Sequence, residues 1–161
     1  MTQIQDAFAP HDHRHCTADL LAYADAHVAK SAKRLTPVRR RTLEILLEEH
    51  RAMGAYDVLD RLSMDGFGNQ PPVAYRALEF LVEQGLAHRI TAKNAFAACM
   101  HPGDHHAAVF LICNGCQRLA EVEAAPIHLA VALAGKRVGF TVESTVVEAI
   151  GLCATCSAGD T

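Results

Sequence analysis

The chain has 161 residues, half of them apolar, with a formal net charge of −3 at pH 7 and six cysteines. That length holds one ordinary domain or two small ones, and with no signal peptide and no transmembrane run read in the sequence, no membrane partner and a reducing, cytoplasmic setting are expected. The charge is uneven: residues 1–101 carry twelve acidic and twelve basic side chains, residues 102–161 six acidic and three basic.

Residues 1–16 include His11, His13, His15 and Cys16 in a run with little apolar periodicity, and they read as a mobile tail. A metal caught there would have to meet the ordering cost of the segment itself. Residues 19–32 are alanine-rich and helical in pattern, with Leu20, Leu21, Ala24 and Val28 available to pack. Between 30 and 41 stand Lys30, Lys33, Arg34, Arg39, Arg40 and Arg41 with no acid among them. Such a stripe suffices for phosphate contact whatever the net charge, although a solvated helix face has the same composition.

Thr36-Pro37 is a helix start, threonine as N-cap and proline at the first position, and the helix is expected to reach about residue 49 with Val38, Leu43, Leu46 and Leu47 inward. Residues 55–63 read as a short helix on Val58, Leu59 and Leu62. After a polar turn, Pro71-Pro72 opens another helix, closed by Gly85. Projected at 100° per residue, Ala74, Ala77, Leu78, Leu81 and Val82 share one arc and Arg76, Glu79 and Glu83 the other. Tyr75 and Arg76 then lie near its N-terminal end, partly outside the core. Residues 86–91 and 95–100 around the turn at 92–94 form a hairpin. Helices followed by a hairpin make a winged helix-turn-helix, whose second turn helix enters the major groove; a helical bundle is the plain alternative.

His101-Pro102-Gly103-Asp104 reads as a hinge. Beyond it, residues 107–113 and 119–123 are strands, 126–136 a helix apolar almost all round, and 138–148 alternate as a third strand. Three strands and one helix cannot bury that much apolar surface, so a homodimer is expected. Cys113-Asn-Gly-Cys116 and Cys153-Ala-Thr-Cys156, with thirty-six residues between them, are two hooks that together complete a tetrahedral four-sulfur shell. That is a structural zinc site, closed to water, which argues against hydrolytic chemistry there. The fold class is α+β: a winged helix-turn-helix domain over 17–100, a hinge over 101–105, a small α/β dimerisation domain with structural zinc over 106–156, and tails at 1–16 and 157–161.

The ordered stretches RLTPVRRRTLEIL, AYDVLDRL and PPVAYRALEFLVEQGLAHR, followed by the two hooks, resemble the ferric uptake regulator family of metal-sensing repressors, and most closely its zinc-uptake branch. The resemblance covers roughly residues 17–156. It implies a dimeric winged-helix repressor that binds double-stranded operator DNA when loaded with metal and switches off zinc import. It also implies DNA contacts from Tyr56 and Arg76, beside Tyr75 and the arginines 39, 40 and 41. Arg76 has independent support, because an arginine at a recognition-helix start can pair bidentately with guanine. The family usually has threonine and valine where this chain has Val73-Ala74, so a hydroxyl able to cap or to touch phosphate is missing, and some loss of affinity or a different operator preference is expected.

By the same resemblance His88, Cys99, His106 and Glu121 are ligands of a second, regulatory zinc, making two ions per chain. These four straddle the hinge, so an ion bound only in one arrangement would shift the population toward it, which takes roughly 5 kcal/mol of differential affinity. A thiolate among imidazoles and a carboxylate suits zinc over iron or manganese. Phe110 stands where relatives carry a histidine, which weakens a nitrogen-rich iron site, while His101 and His105 stay unassigned. An iron or peroxide sensor is the nearest alternative, and a zinc-ribbon interaction module without DNA binding an alternative of another class. An enzyme is disfavoured: Ile112 precedes Cys113 and no histidine begins an H-x-E, so the deaminase pattern is absent, and no small-molecule substrate is expected.

Overall fold

The computed structural model describes Phe8 and residues 13–48, 51–103 and 108–159, and the chain divides after Gly103 into two compact units. In the first unit four helices precede a hairpin: α1 (His13–Lys30), α2 (Pro37–Glu48), α3 (Ala55–Met64), α4 (Pro71–Glu83), β1 (Ala87–Ile90) and β2 (Ala95–Ala98). Helix α1 begins inside the stretch expected to be a tail, because residues 13–18 contain neither proline nor glycine to stop an alanine-rich helix from extending. His11 lies outside the described residues. The Thr36 carbonyl accepts the Arg40 N–H at 2.9 Å, which starts α2 at the expected residue. Thr42 is the buried polar side chain of this core, and it donates its hydroxyl to the Val38 carbonyl at 2.8 Å.

Helices α3 and α4 end alike. Gly66 and Gly85 take left-handed φ values of 82° and 67°. The Phe67 N–H reaches the Leu62 carbonyl and the Leu86 N–H the Leu81 carbonyl, both at 2.9 Å, while each glycine N–H donates to the third residue back. This paired capping satisfies the last carbonyls and reverses the chain, so one glycine aims it into α4 and the other into the hairpin. Pro71 and Pro72 start α4, where an N–H would be orphaned anyway.

Val28, Leu46, Val58, Leu62, Leu78 and Leu81 form the centre of this unit's core. Ala74, Ala77, Leu78 and Leu81 are buried as the helical projection predicts, with Val82 half-buried. Phe80 is buried as well: it joins the core cluster, and the Arg39 guanidinium lies 3.6 Å from its ring centroid and helps to cover it. Strands β1 and β2 pair antiparallel, His88 opposite Ala97 and Arg89 opposite Phe96, and Asn94 supplies the left-handed residue of the turn. Met53 exchanges two 2.8 Å backbone hydrogen bonds with Phe96, adding a short third segment to the hairpin.

The second unit contains β3 (Ala108–Cys113), β4 (Leu119–Glu123), α5 (Ala125–Arg137), β5 (Val147–Gly151) and the short α6 (Ala154–Ser157). Its sheet runs β4-β3-β5, with β4 antiparallel and β5 parallel to β3. The expected third strand over 138–148 is corrected here: the strand is Val147–Gly151, and residues 140–146 have no regular structure. Alternation predicts a strand only where a partner edge exists, and among the described residues Val138, Phe140 and Val146 are exposed and enter no strand pairing. No residue of α5 is buried. Among the described residues no helix is long and apolar enough to cross a membrane.

Candidate metal centre and nucleic-acid interface

Cys113 ends β3 and Cys116 follows on a tight turn held by the Gln117 N–H on the Cys113 carbonyl at 3.0 Å. Cys153 caps α6, and the Ser157 N–H donates to its carbonyl at 2.8 Å. The parallel pairing of β3 with β5 sets Cys113 opposite Gly151, and the Asn114 N–H donates to the Gly151 carbonyl at 2.8 Å, so the second hook is delivered beside the first. All four sulfurs lie within 4.8 Å of one another, and Cys116 Sγ and Cys153 Sγ are 3.8 Å apart. Gly115 makes this approach possible: a β-carbon there would meet Cys156 Sγ at 2.7 Å. Sequence reading passed over that glycine, although its place inside the hook was a usable signal.

The electrostatics of the cluster call for a cation. Backbone N–H groups of Cys116 and then Cys153 hold the Cys113 thiol down at about 6, and the Cys153 N–H lies 3.3 Å from its sulfur. Cys156 is pushed up to about 12 by its hydrogen bond to Cys153, by burial and by the neighbouring sulfurs. The Cys113 thiolate therefore forms easily while Cys156 keeps its proton, and four thiolates coexist only around a dication. A tetrahedral zinc fits this donor set and would staple the two ends of the unit.

In the first unit His88 is half-buried on β1 and Cys99 is buried just past β2, where its N–H donates to the Leu86 carbonyl at 3.0 Å. A His88 ring nitrogen and Cys99 Sγ lie within 4.8 Å. Glu121 belongs to the second unit, half-buried on β4 opposite Phe110. Phe110 is a fully buried core residue of β3, and His101 is exposed. His105 and His106 lie outside the described residues.

The turn pair α3–α4 presents Tyr56 in the first turn of α3, 63% exposed, and Tyr75 and Arg76 on the second turn of α4, both exposed. Among the described residues Arg76 makes no hydrogen bond or ion pair, so its guanidinium is available. The three arginines of α2 are engaged differently. Arg39 covers Phe80 and donates to the Arg34 carbonyl at 2.8 Å. Arg40 pairs with Asp25 and Glu44, and Arg41 with Asp65 and Glu48.

A family model for the ferric uptake regulator family matches residues 30–150. This chain belongs to the ferric uptake regulator family. Its similarity runs to zinc-linked members. It is 36% identical over 142 residues to the zinc uptake regulation protein of Escherichia coli K12, covering 87% of this chain and 82% of that one. A structure of a zinc uptake regulator complexed with zinc and DNA superposes with a TM-score of 0.84 at 34% identity, over 89% of this chain and 97% of the other. The holo form of XcZur matches at 0.78 and 32% identity, over 87% and 98%. In this family member Ala74, the second of the two residues that replace the usual threonine and valine, is buried. The Gln70 N-cap contributes no side-chain hydrogen bond, so α4 starts on proline geometry alone.

Proposed function

We propose that this chain is a zinc-responsive, dimeric transcriptional repressor that binds operator DNA when zinc-loaded and represses zinc-uptake genes. The observation that carries this reading is the likeness, over most of both chains, to a zinc uptake regulator solved with zinc and DNA. The unpaired Arg76 beside exposed Tyr75 and Tyr56 supports it, since these groups stand on a turn pair suited to the major groove. It acts as a regulator and not an enzyme, in the cytoplasm, with no small-molecule substrate. On α2 the Arg40 side chain is 40% exposed against 25% for Arg41, and it is the better placed of these two to reach phosphate.

The structural ion is assigned to Cys113, Cys116, Cys153 and Cys156, and the regulatory ion to His88, Cys99, His106 and Glu121, giving two zinc ions per chain. The mixed sulfur, nitrogen and oxygen set suits zinc, and the proximity of His88 and Cys99 within the first unit favours a shared ion. The dimer follows from the second unit: the apolar side chains of α5, with Phe140, Val146, Ile150 and Leu152, are exposed in one copy and need a second.

The test is a count of zinc retained under a competing chelator. The unaltered protein is expected to hold two ions and Cys99→Ser one. If both hold one, His88 and Cys99 are not zinc ligands and an iron sensor becomes the better reading. Arg76→Ala is expected to stay dimeric and lose DNA binding; undiminished binding would favour a protein-interaction module.

A further inference from the structure

Arg41 lies in the basic stripe that sequence reading gave to phosphate contact, yet its surroundings are acidic. Its Nε donates to Asp65 Oδ2 at 2.6 Å and one terminal nitrogen to Glu48 Oε1 at 2.8 Å, with Glu44 Oε2 at 3.4 Å. Arg61 of α3 also pairs with Glu48. Arg40 reaches Glu44 and Asp25 as well, so three guanidiniums share four carboxylates, and the cluster as a whole is negative and disfavours phosphate. Only a quarter of the Arg41 side chain is exposed.

Asp65 is the C-cap of α3, and its carboxylate stands at the negative end of that helix, where an acid is unfavourable without a cation. Glu48 is the last described residue of α2. One planar guanidinium bonds both carboxylates. Directly after Asp65 comes the Gly66–Phe67 cap that reverses the chain toward α4. Whatever fixes Asp65 therefore helps to set the direction in which the chain leaves α3 toward α4, and with it how Tyr75 and Arg76 are presented.

We propose that Arg41 is a positioning residue: it braces the α2 end against the α3 cap through Glu48 and Asp65, sets the α3–α4 turn, and makes no contact with DNA. The part concerning DNA rests on the repressor reading. The hydrogen bond to Asp65 is also the main reason the Arg41 guanidinium holds its proton more firmly than an ordinary arginine.

The experiment measures binding of the zinc-loaded, full-length protein to a duplex it has itself selected from random DNA, at several salt concentrations. Arg41→Met and Arg41→Lys are each expected to weaken binding by about fivefold while leaving the slope of log affinity against log salt unchanged. Asp65→Asn should give a similar loss, and the Arg41→Met/Asp65→Asn double variant no more than either alone. A slope reduced by about one in Arg41→Met, with Arg41→Lys near normal, overturns the proposal in favour of a phosphate contact. A thermal melt shows that each variant is folded. If the unaltered protein binds no DNA, the repressor reading fails by itself, and amide exchange then decides the brace. Faster exchange at Gly66 and Phe67 in Arg41→Met supports it, and unchanged protection overturns it.

Discussion

Gly115 shows how much a single missing β-carbon can decide. Its neighbours leave no space for a methyl group, since Cys156 Sγ and Cβ both lie under 3.0 Å from where one would stand. Gly115→Ala must push the two hooks apart, and zinc retention against a chelator is expected to fall by about tenfold, comparable to the loss of a supporting contact around a metal. Protons and zinc also compete for the same sulfurs. Cys113 titrates at about 6 in the folded unit, below its ordinary value, so its thiolate favours the fold at higher pH and that contribution is lost as pH falls through about 6. Cys156, pushed up to about 12, must release a proton when metal binds. Both signs agree: zinc measured with a colorimetric chelator should be retained at pH 8 and released progressively below about pH 6, and pH-independent retention would show that these cysteines are not the ligands.

Among the elements, α4 was the most legible in the sequence, because two prolines, a 3.6-residue apolar pattern and a closing glycine all specify the same helix. Leu78 is fully buried at its centre, and Leu78→Ala is expected to cost about 2–5 kcal/mol, read by denaturant unfolding of the zinc-loaded protein. The cysteine hooks were legible for a similar reason, since their spacing is itself the chemistry. Other features depended on partners that a linear pattern does not contain. Phe80 joins the core and is covered in part by Arg39, distant in sequence, which lies over its ring. Arg41 read as part of a free basic stripe because Asp65 and Glu48 are brought to it by the packing of α2 and α3. Residues 138–148 alternate as a strand does, yet only Val147–Gly151 pairs, and among the described residues Val138, Phe140 and Val146 stay largely exposed.

At the scale of the whole molecule that unpaired surface is the argument for two copies. Leu129 and Leu133, one turn apart on α5, are 61% and 50% exposed. Replacing both with aspartate is expected to convert a dimer to monomers in sedimentation and to abolish DNA binding, because one copy reaches only half of a two-fold operator. An unchanged dimer would place the interface elsewhere. The central claim is that zinc switches this molecule onto DNA, and it is tested most directly by titrating a self-selected duplex with protein at buffered free zinc. Binding is predicted to appear only after the four-cysteine site is filled and to rise with occupancy of a second ion, in the unaltered protein but not in Cys99→Ser. Binding that is equally tight at every zinc level, once the structural site is full, would contradict the account.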